Sequence, residues 1–513
     1  MSKLLKQFSF IMKKILFLLL IINKLYAQKE DNVWLLGDWK IGFPIDTTIP
    51  YGINSLNFGK KPYPLNQKEW SDVGLDMNKS SICDKEGNLL LFYDGIDIYN
   101  KNFKAVKGSD SLNHTKPINF LQAYQDYVPQ GGLILPYPDH ENQYILIHQQ
   151  VEYLVIQDSV ADIRGERLYY SIINMNKESG LGEVIERKNI LLDVPLDYGN
   201  ITACRHANGK DWWIIQQSYS EPVYYKILLD SMGMRIFDKQ EVGTDDLSSL
   251  GQALFSPDGK FYINHDCTGN KTDCAIFNFD RCTGKLSNFK GLKSGIPIDS
   301  IFAGGAAISP NSRFLYFILD SYIFQYDLLA TDIAQSRVLI AKYDGFLDDN
   351  NLPTRFFMGQ LAPNGKIYIS NTSATRYLHV INKPDLKGDS CDLVQHGYKL
   401  LTINGFGLPN LPNFRLGKAD VVCNMVGEED VEKEHIAIKV FPNPNEGILT
   451  IDIGENKINS FAVYDINGRF IFSQYIDNQS TTIDISDLQN GMYICRFSGN
   501  VDEVTPIKFT IIH

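Results

Sequence analysis

The sequence predicts an all-β protein: a β-propeller of seven blades, six being the alternative, followed by a small carboxyl-terminal β-sandwich. Three observations carry this reading. Aromatic residues make up 12% of the chain, with 39 Gly and 21 Pro, which suits many short strands joined by tight turns. One turn-and-strand unit recurs at fairly even spacing through most of the chain. A charged stretch without aromatics, 425–435, then separates that array from a last segment with its own strand pattern.

At the amino end, Lys3, Lys6, Lys13 and Lys14 precede the apolar run from Ile15 to Ile22, and Ala27 stands before Gln28. This is the pattern of a secretory signal peptide over residues 1–27, with Met12 as a second suitable start. The run is too short to span a bilayer, and no later stretch approaches the ~18 apolar residues of a transmembrane helix. The remainder is therefore expected to be exported, without a transmembrane segment. Removing residues 1–27 takes away five lysines and no acid, so the net charge of −11 becomes −16. Such a surface argues against nucleic acid as a partner. A structural calcium ion is the one cofactor it leaves open, although no D-x-[DN]-x-[DN]-G loop is present.

The propeller is expected over 28–424. Its best turn is Ser256-Pro257-Asp258-Gly259, followed by the strand Lys260 to Ile263. Pro257 and Asp258 suit the corners of a type I turn, and Gly259 suits the left-handed position after it. Related turns place landmarks at 87, 142, 209, 259, 312 and 365, which stand 55, 67, 50, 53 and 53 residues apart. That period fits a four-stranded blade with long loops, whereas a row of sandwiches would repeat nearer ~100 residues. Ser312 replaces the glycine in one copy, so a different turn is expected there. Val33 to Trp39 and Tyr398 to Ile403 are the candidate partners that close the ring.

The last segment, 436–513, reads as strands around Lys439-Val440-Phe441, Ile448 to Ile453, Ser460 to Asp465, Arg469 to Tyr475, Thr481 to Ile485, Gly491 to Phe497 and Ile507 to Ile512. Three of its motifs closely resemble the type A sorting domain of the Bacteroidetes type IX secretion system. They are Val440-Phe441-Pro442-Asn443-Pro444 with Gly447, then Val463-Tyr464-Asp465 with Gly468, then Leu488 with Gly491-Met492-Tyr493. The resemblance implies delivery to the cell surface or the medium by the outer-membrane translocon, which would be a partner of this unit. The body also resembles a group of secreted Bacteroidetes propeller proteins. Here the matches include Trp34-Leu35-Leu36-Gly37-Asp38, His206 to Trp213 and Gly407-Leu408-Pro409-Asn410-Leu411-Pro412-Asn413-Phe414. That group brings no assigned activity, and Leu35-Leu36 stands where an aromatic pair is more usual.

Catalytic chemistry has no signature in the chain. No G-x-S-x-G elbow is present, and Asp38 and Asp94 read first as turn aspartates. Cys204 and His206 with His265 and Cys267 lack structural-zinc spacing. Trp34, Trp39, Trp70, Trp212 and Trp213 suit core packing better than sugar stacking, with Trp70 the best exposed candidate. Eight cysteines in an exported chain permit disulfides, and Cys267 with Cys274 and Cys391 with Cys423 are the candidate pairs, with free buried thiols the alternative. The expected function is a non-enzymatic protein- or glycan-binding propeller outside the cell; the alternative is a propeller-type polysaccharide hydrolase or lyase.

Overall fold

The computed structural model describes residues 28–38, 51–61, 64–69, 73–110, 112–113, 128–156, 159–244, 251–266, 273–296, 304–419, 423, 438–454, 458–465, 470–476, 478–499 and 507–513. The expected signal peptide 1–27 and linker 425–435 lie outside the described residues. The chain divides into two compact units, Met1–Cys423 and Asn424–His513.

In the first unit, the described residues form seven antiparallel sheets. The first holds β1 (Val33–Leu36), β2 (Ile53–Asn57) and β3 (Leu65–Glu69), and the second β4 (Ser80–Cys83), β5 (Leu89–Tyr93) and β6 (Ile98–Asn100). The third holds β7 (Gly132–Pro136), β8 (Gln143–Ile156), β9 (Ser159–Asn174) and β10 (Glu183–Leu196); the fourth β11 (Thr202–Arg205), β12 (Trp212–Gln217), β13 (Val223–Asp230) and β14 (Gly233–Glu241). The fifth holds β15 (Gly251–Phe255), β16 (Phe261–Asp266), β17 (Cys274–Phe279) and β18 (Leu286–Leu292); the sixth β19 (Gly304–Ile308), β20 (Phe314–Leu319), β21 (Tyr322–Asp327) and β22 (Val338–Lys342). The seventh holds β23 (Phe356–Leu361), β24 (Ile367–Asn371), β25 (Thr375–Ile381) and β26 (Leu393–Asn404).

These sheets are the blades of a ring. Inner strands of successive blades adjoin, β4 with β7, β11 with β15, β15 with β19 and β19 with β23, and β26 returns to β2 and β3. Between the third and fourth blades, Ile201 donates its N–H to the Gln130 carbonyl (3.1 Å). Middle strands such as β12 (WWIIQQ) and β20 (FLYFIL) are buried at every position, because neighbouring blades cover both faces. Outer strands such as β18 mix buried and exposed positions, with polar residues turned to water.

The repeated turn is one structure with different residues in it. Gly259 sits at φ +71° and donates its N–H to Ser256 O (2.8 Å). Ser312 takes φ +61° and makes the same bond to Ser309 O (2.8 Å), so the expected different turn in that blade is not found. Left-handed backbone costs a non-glycine residue roughly 1 kcal/mol. An added bond offsets that cost: Ser312 Oγ accepts the Asp258 N–H (2.9 Å), tying the turns of two blades together.

Closure works by insertion of a segment without strand pairing. Beside β4, Cys83 N–H donates to Glu30 O (2.8 Å) and Ser81 Oγ to Val33 O (3.0 Å). At the other end of β1, Gly405 N–H donates to Gly37 O (2.7 Å), while Phe406 O accepts from Lys79, just ahead of β4. β1 therefore runs opposite to β4. The first blade supplies its outer three strands, and the position nearest the axis goes to the chain that follows β26. Among the described residues, the two candidate closing segments do not pair with each other: Tyr398 to Ile403 meets β2, where Leu401 N–H donates to Asn54 Oδ1 (2.9 Å) and Asn54 Nδ2 donates to Thr402 O (3.1 Å). The segment from Val33 is joined at Gly37 to Asn404 Oδ1 (3.2 Å) and to Gly405.

The disulfide differs from both expected pairs. Cys423 is bonded to Cys282, while Cys274 and Cys391 are buried free thiols, and Cys267 lies outside the described residues. Cys274 packs inside β17 and Cys391 under β20, which leaves neither sulfur reachable by the emerging tail.

The second unit is a sandwich of two sheets. One has the order β27 (Lys439–Phe441), β28 (Ile448–Asp452), β31 (Ser480–Asp484); the other has the order β30 (Phe470–Tyr475), β29 (Ile458–Asp465), β32 (Gly491–Gly499), β33 (Ile507–Ile511). Leu449, Ile451, Phe461, Val463, Cys495 and Phe509 fill the space between them.

Candidate functional site

The channel of the ring is occupied by residues 405–417. Pro409 and Pro412 lack N–H groups and prevent this stretch from joining a sheet, so it is held by side chains and by isolated backbone bonds. Asn410, 4% exposed, donates Nδ2 to Gly132 O and Ile201 O (2.9 Å each) and its own N–H to Lys79 O (2.7 Å). Its carbonyl accepts from Ser80 Oγ (2.9 Å). One residue, through its side-chain amide and its own backbone groups, thus satisfies the inner edges of three blades. Leu408, Leu411 and Phe414 bury themselves in the ring core, Phe414 edge-on to Trp212 at 5.6 Å. On leaving the channel, Gly417 O accepts from Arg281 and Ala419 N–H donates to Ala207 O (2.9 Å), short of the Cys282–Cys423 bond.

Where the tail enters, Lys79 is 2% exposed and donates to Asn404 Oδ1 (2.9 Å) and Phe406 O (3.1 Å). Burial lowers its pKa to about 8, against the pull of Asp76 and Asp38 in the other direction. The carboxylates of Asp38 and Asp76 both approach Gly405, at 3.1 and 3.2 Å from where a Cβ on it would stand.

Beside the tail, the fifth to seventh blades leave a cup of about 300 Å³. Small inner residues, Ala253, Ala307 and Gly359, make the room. Gln130 and Gln252 close its deep end. Gln130 grips Ala253 by both N–H (2.7 Å) and O (2.9 Å), and Gln252 donates to Gly359 O (2.8 Å) and accepts from Ala306 N–H (3.1 Å). At the mouth stand Pro257, Pro310 and Pro363, the same turn position in three successive blades. Asp31 is the carboxylate among the lining residues, and Arg415 holds it with Nε (3.1 Å) and Nη2 (2.6 Å). Burial raises the Asp31 pKa, and the bond to Arg415 opposes the rise.

The other sequence candidates are accounted for by packing. Trp34, Trp212 and Trp213 are fully buried, as core packing requires; Trp39 and Trp70 lie outside the described residues. Asp94 closes a turn by accepting the N–H groups of Ile96 (2.9 Å) and Asp97 (2.8 Å), and burial raises its pKa to about 6. His206 is a turn residue, with Nδ1 facing Asn208 N–H (3.1 Å) and Nε2 facing Cys282 O (3.1 Å). His265 is enclosed on β16 against Phe317.

In the sandwich, the Pro442-Asn443-Pro444-Asn445 stretch seals an edge. Asn443 Oδ1 accepts Thr510 N–H (2.9 Å) and its Nδ2 donates to Lys508 O (3.1 Å). Asn445 N–H donates to Thr510 O (2.7 Å) and its carbonyl accepts Ile512 N–H (2.9 Å). The outer edge of β33 is thereby paired, which a bare edge strand is not. Gly447, at φ +116°, packs a ~3.0 Å notch against Ser486 and accepts Ile485 N–H (2.8 Å). Tyr493 stacks on Phe509 (5.8 Å) and donates to Gln489 O (2.9 Å); Leu488 packs against the core, and Gly491 pairs with Ile511. Phe441 and Pro442 are exposed, Tyr464 lies under Arg496 (5.2 Å) beside Asp465, and Gly468 lies outside the described residues.

Fold and motif together define an exported ring with a carboxyl-terminal sorting unit. Residues 439–512 match the secretion system C-terminal sorting domain family, so the second unit is a sorting domain of the type IX pathway. It sends the chain to the cell surface or the extracellular space. No helix among the described residues is long and apolar enough to cross a membrane. No curated protein matches the chain. Among solved structures, it is similar to a proposed 6-phosphogluconolactonase from Bacteroides uniformis, at 12% identity, with 92% of this chain and 100% of that one covered and a TM-score of 0.34. A protein from Lactobacillus plantarum gives 13%, 74%, 99% and 0.39 in the same terms. PorZ of the type IX secretion system of Porphyromonas gingivalis gives 13%, 90%, 73% and 0.26. At these scores none of the three bears on the function of the ring.

Proposed function

We propose that the ring is a non-enzymatic binding module displayed or released outside the cell, with the cup beside the tail as its ligand site. The observation that carries this reading is the filled channel. A general acid and base need two titratable groups free to face a substrate. At the cup the lining carboxylate, Asp31, is already held by two nitrogens of Arg415.

A polysaccharide hydrolase or lyase is the second reading, and Asp38 with Asp76 is the observation in its favour. Asp76 is 1% exposed and accepts the Phe406 N–H (3.4 Å), so the tail stands between this pair and any substrate. Incubating the mature chain with a panel of polysaccharides and proteins, reading binding and product release together, tests the proposal. Retention of a ligand without turnover is expected; release of any product would overturn it.

A further inference from the structure

The geometry points to the cup as a site for a neutral, apolar group about the size of one large side chain, not for a sugar. This rests on the binding reading above and narrows it. The lining, its charges, its size and the tail beside it all carry this assignment.

The walls are apolar: Trp34, Leu254, Phe255, Ile308, Leu361 and Leu411. Three of the polar side chains that reach the cup, Gln130, Gln252 and Asn413, are already committed, and Gln360 keeps only long contacts. Gln130 and Gln252 spend both ends of their amides on inner-strand peptides. Asn413 donates Nδ2 to Pro257 O (2.7 Å) and accepts the Arg415 N–H (3.0 Å). A sugar hydroxyl entering here would lose water and find few partners, at a cost of about 1–3 kcal/mol for each unpaired group.

Among the described residues that line the cup, the charged ones, Asp31 and Arg415, cancel each other in a two-point pair. An ionic ligand would have to break that pair, whereas a neutral one leaves it intact. The turn residues at the mouth, Pro257, Pro310 and Pro363, carry no N–H to offer. Finally, 300 Å³ stands at the lower limit of small-molecule sites, about 300–1,000 Å³. The tail itself shows the chemistry the channel accepts, because Leu408, Leu411 and Phe414 lie buried in it.

The same chemistry could arrive as a free aromatic molecule or as an apolar side chain on a protein segment. Methyl-labelled mature chain is titrated with indole, with the capped peptide acetyl-Leu-Pro-Phe-amide, and with cellobiose. Indole or the peptide should shift the methyl signals of Leu254, Ile308, Leu361 and Leu411, and the arm that does so identifies the source. Gln360 reaches the cup with only long contacts to Leu361 O (3.4 Å) and Leu411 O (3.5 Å), so Gln360→Trp fills it at small cost to the fold. That variant should weaken binding at least about tenfold, and Leu254→Trp serves the same purpose from the opposite wall. The inference is overturned if neither apolar probe moves those signals. It is also overturned if cellobiose moves them instead, an outcome that would leave the binding reading standing; hydrolysis of cellobiose would remove both.

Discussion

The ring and the sorting sandwich solve the same problem with the same group at very different range. Each has a β edge that no strand covers, and each covers it with a Pro-flanked asparagine whose amide imitates a peptide. In the sandwich, Asn443 and Asn445 seal β33 within one small unit. In the ring, Asn410 reaches back across the chain to Lys79, Gly132 and Ile201, and a disulfide then holds the segment in place. The difference teaches where each unit is vulnerable. A local seal re-forms with little loss of chain entropy, whereas a long-range one must close a large loop before it gains anything.

The largest effect is therefore expected at the disulfide. Cys282 and Cys423 are 141 residues apart, and the chain-entropy model assigns about 5 kcal/mol to a loop of that size, with measured values usually about 2–4. Cys282→Ser should lower the unfolding free energy of the ring by a similar amount in urea titration and leave the sandwich transition where it was. Equal shifts in both transitions would contradict the separation of the two units.

Asn410→Ala comes next. It strands the Gly132 and Ile201 carbonyls in the channel, at an expected cost of about 2–4 kcal/mol for two buried acceptors. Asn443→Ala, its counterpart in the sandwich, removes two bonds at a solvent-exposed edge and should cost only about 1 kcal/mol. Cell fractionation of that variant should show slower export, with the ring folded. Deleting everything after Glu434 should trap a folded ring in the periplasm, and undiminished surface display of that chain would refute the sorting assignment.

The smallest effect is a pH slope. Asp94 titrates at about 6 in the fold, against 3.8 as the ordinary value, because burial disfavours its charge. Between those values the folded state holds a proton that the unfolded chain has released. Stability from this group is thus greatest at low pH and falls as pH rises from about 4 to 6. Asp94→Asn keeps the acceptor for Ile96 and Asp97 and should flatten that slope.

Much of this architecture is legible in the residues, and the parts that are not share one cause. The blade period can be read because a Pro-Asp-Gly turn is local chemistry, and Ser312 marks its limit: the bond from Asp258 that makes its left-handed turn tolerable comes from another blade. The sorting motifs are legible for the same reason, since Pro442 to Gly447 act on strands of one small unit. In the sequence the tail is visible only as Gly407 to Phe414, one of the matches to secreted propeller proteins, and its Leu-Pro-Asn-Leu-Pro-Asn run does not say where it goes. Its path decides which sulfur Cys423 meets, so Cys282 could not be chosen by spacing. The cup has no local signature at all, because its lining is gathered from separated stretches between Asp31 and Arg415.

The claim on which the rest depends is that residues 405–417 are a built part of the ring. Hydrogen exchange of the mature chain, resolved at the amides of Gly405 and Asn410, tests it directly. Both amides are predicted to exchange as slowly as those of the inner strands, because they are bonded to Gly37 O and Lys79 O inside the channel. Exchange at the rate of an unstructured tail would show the channel open, and would contradict both the closure of the ring and the cup that the tail helps to form.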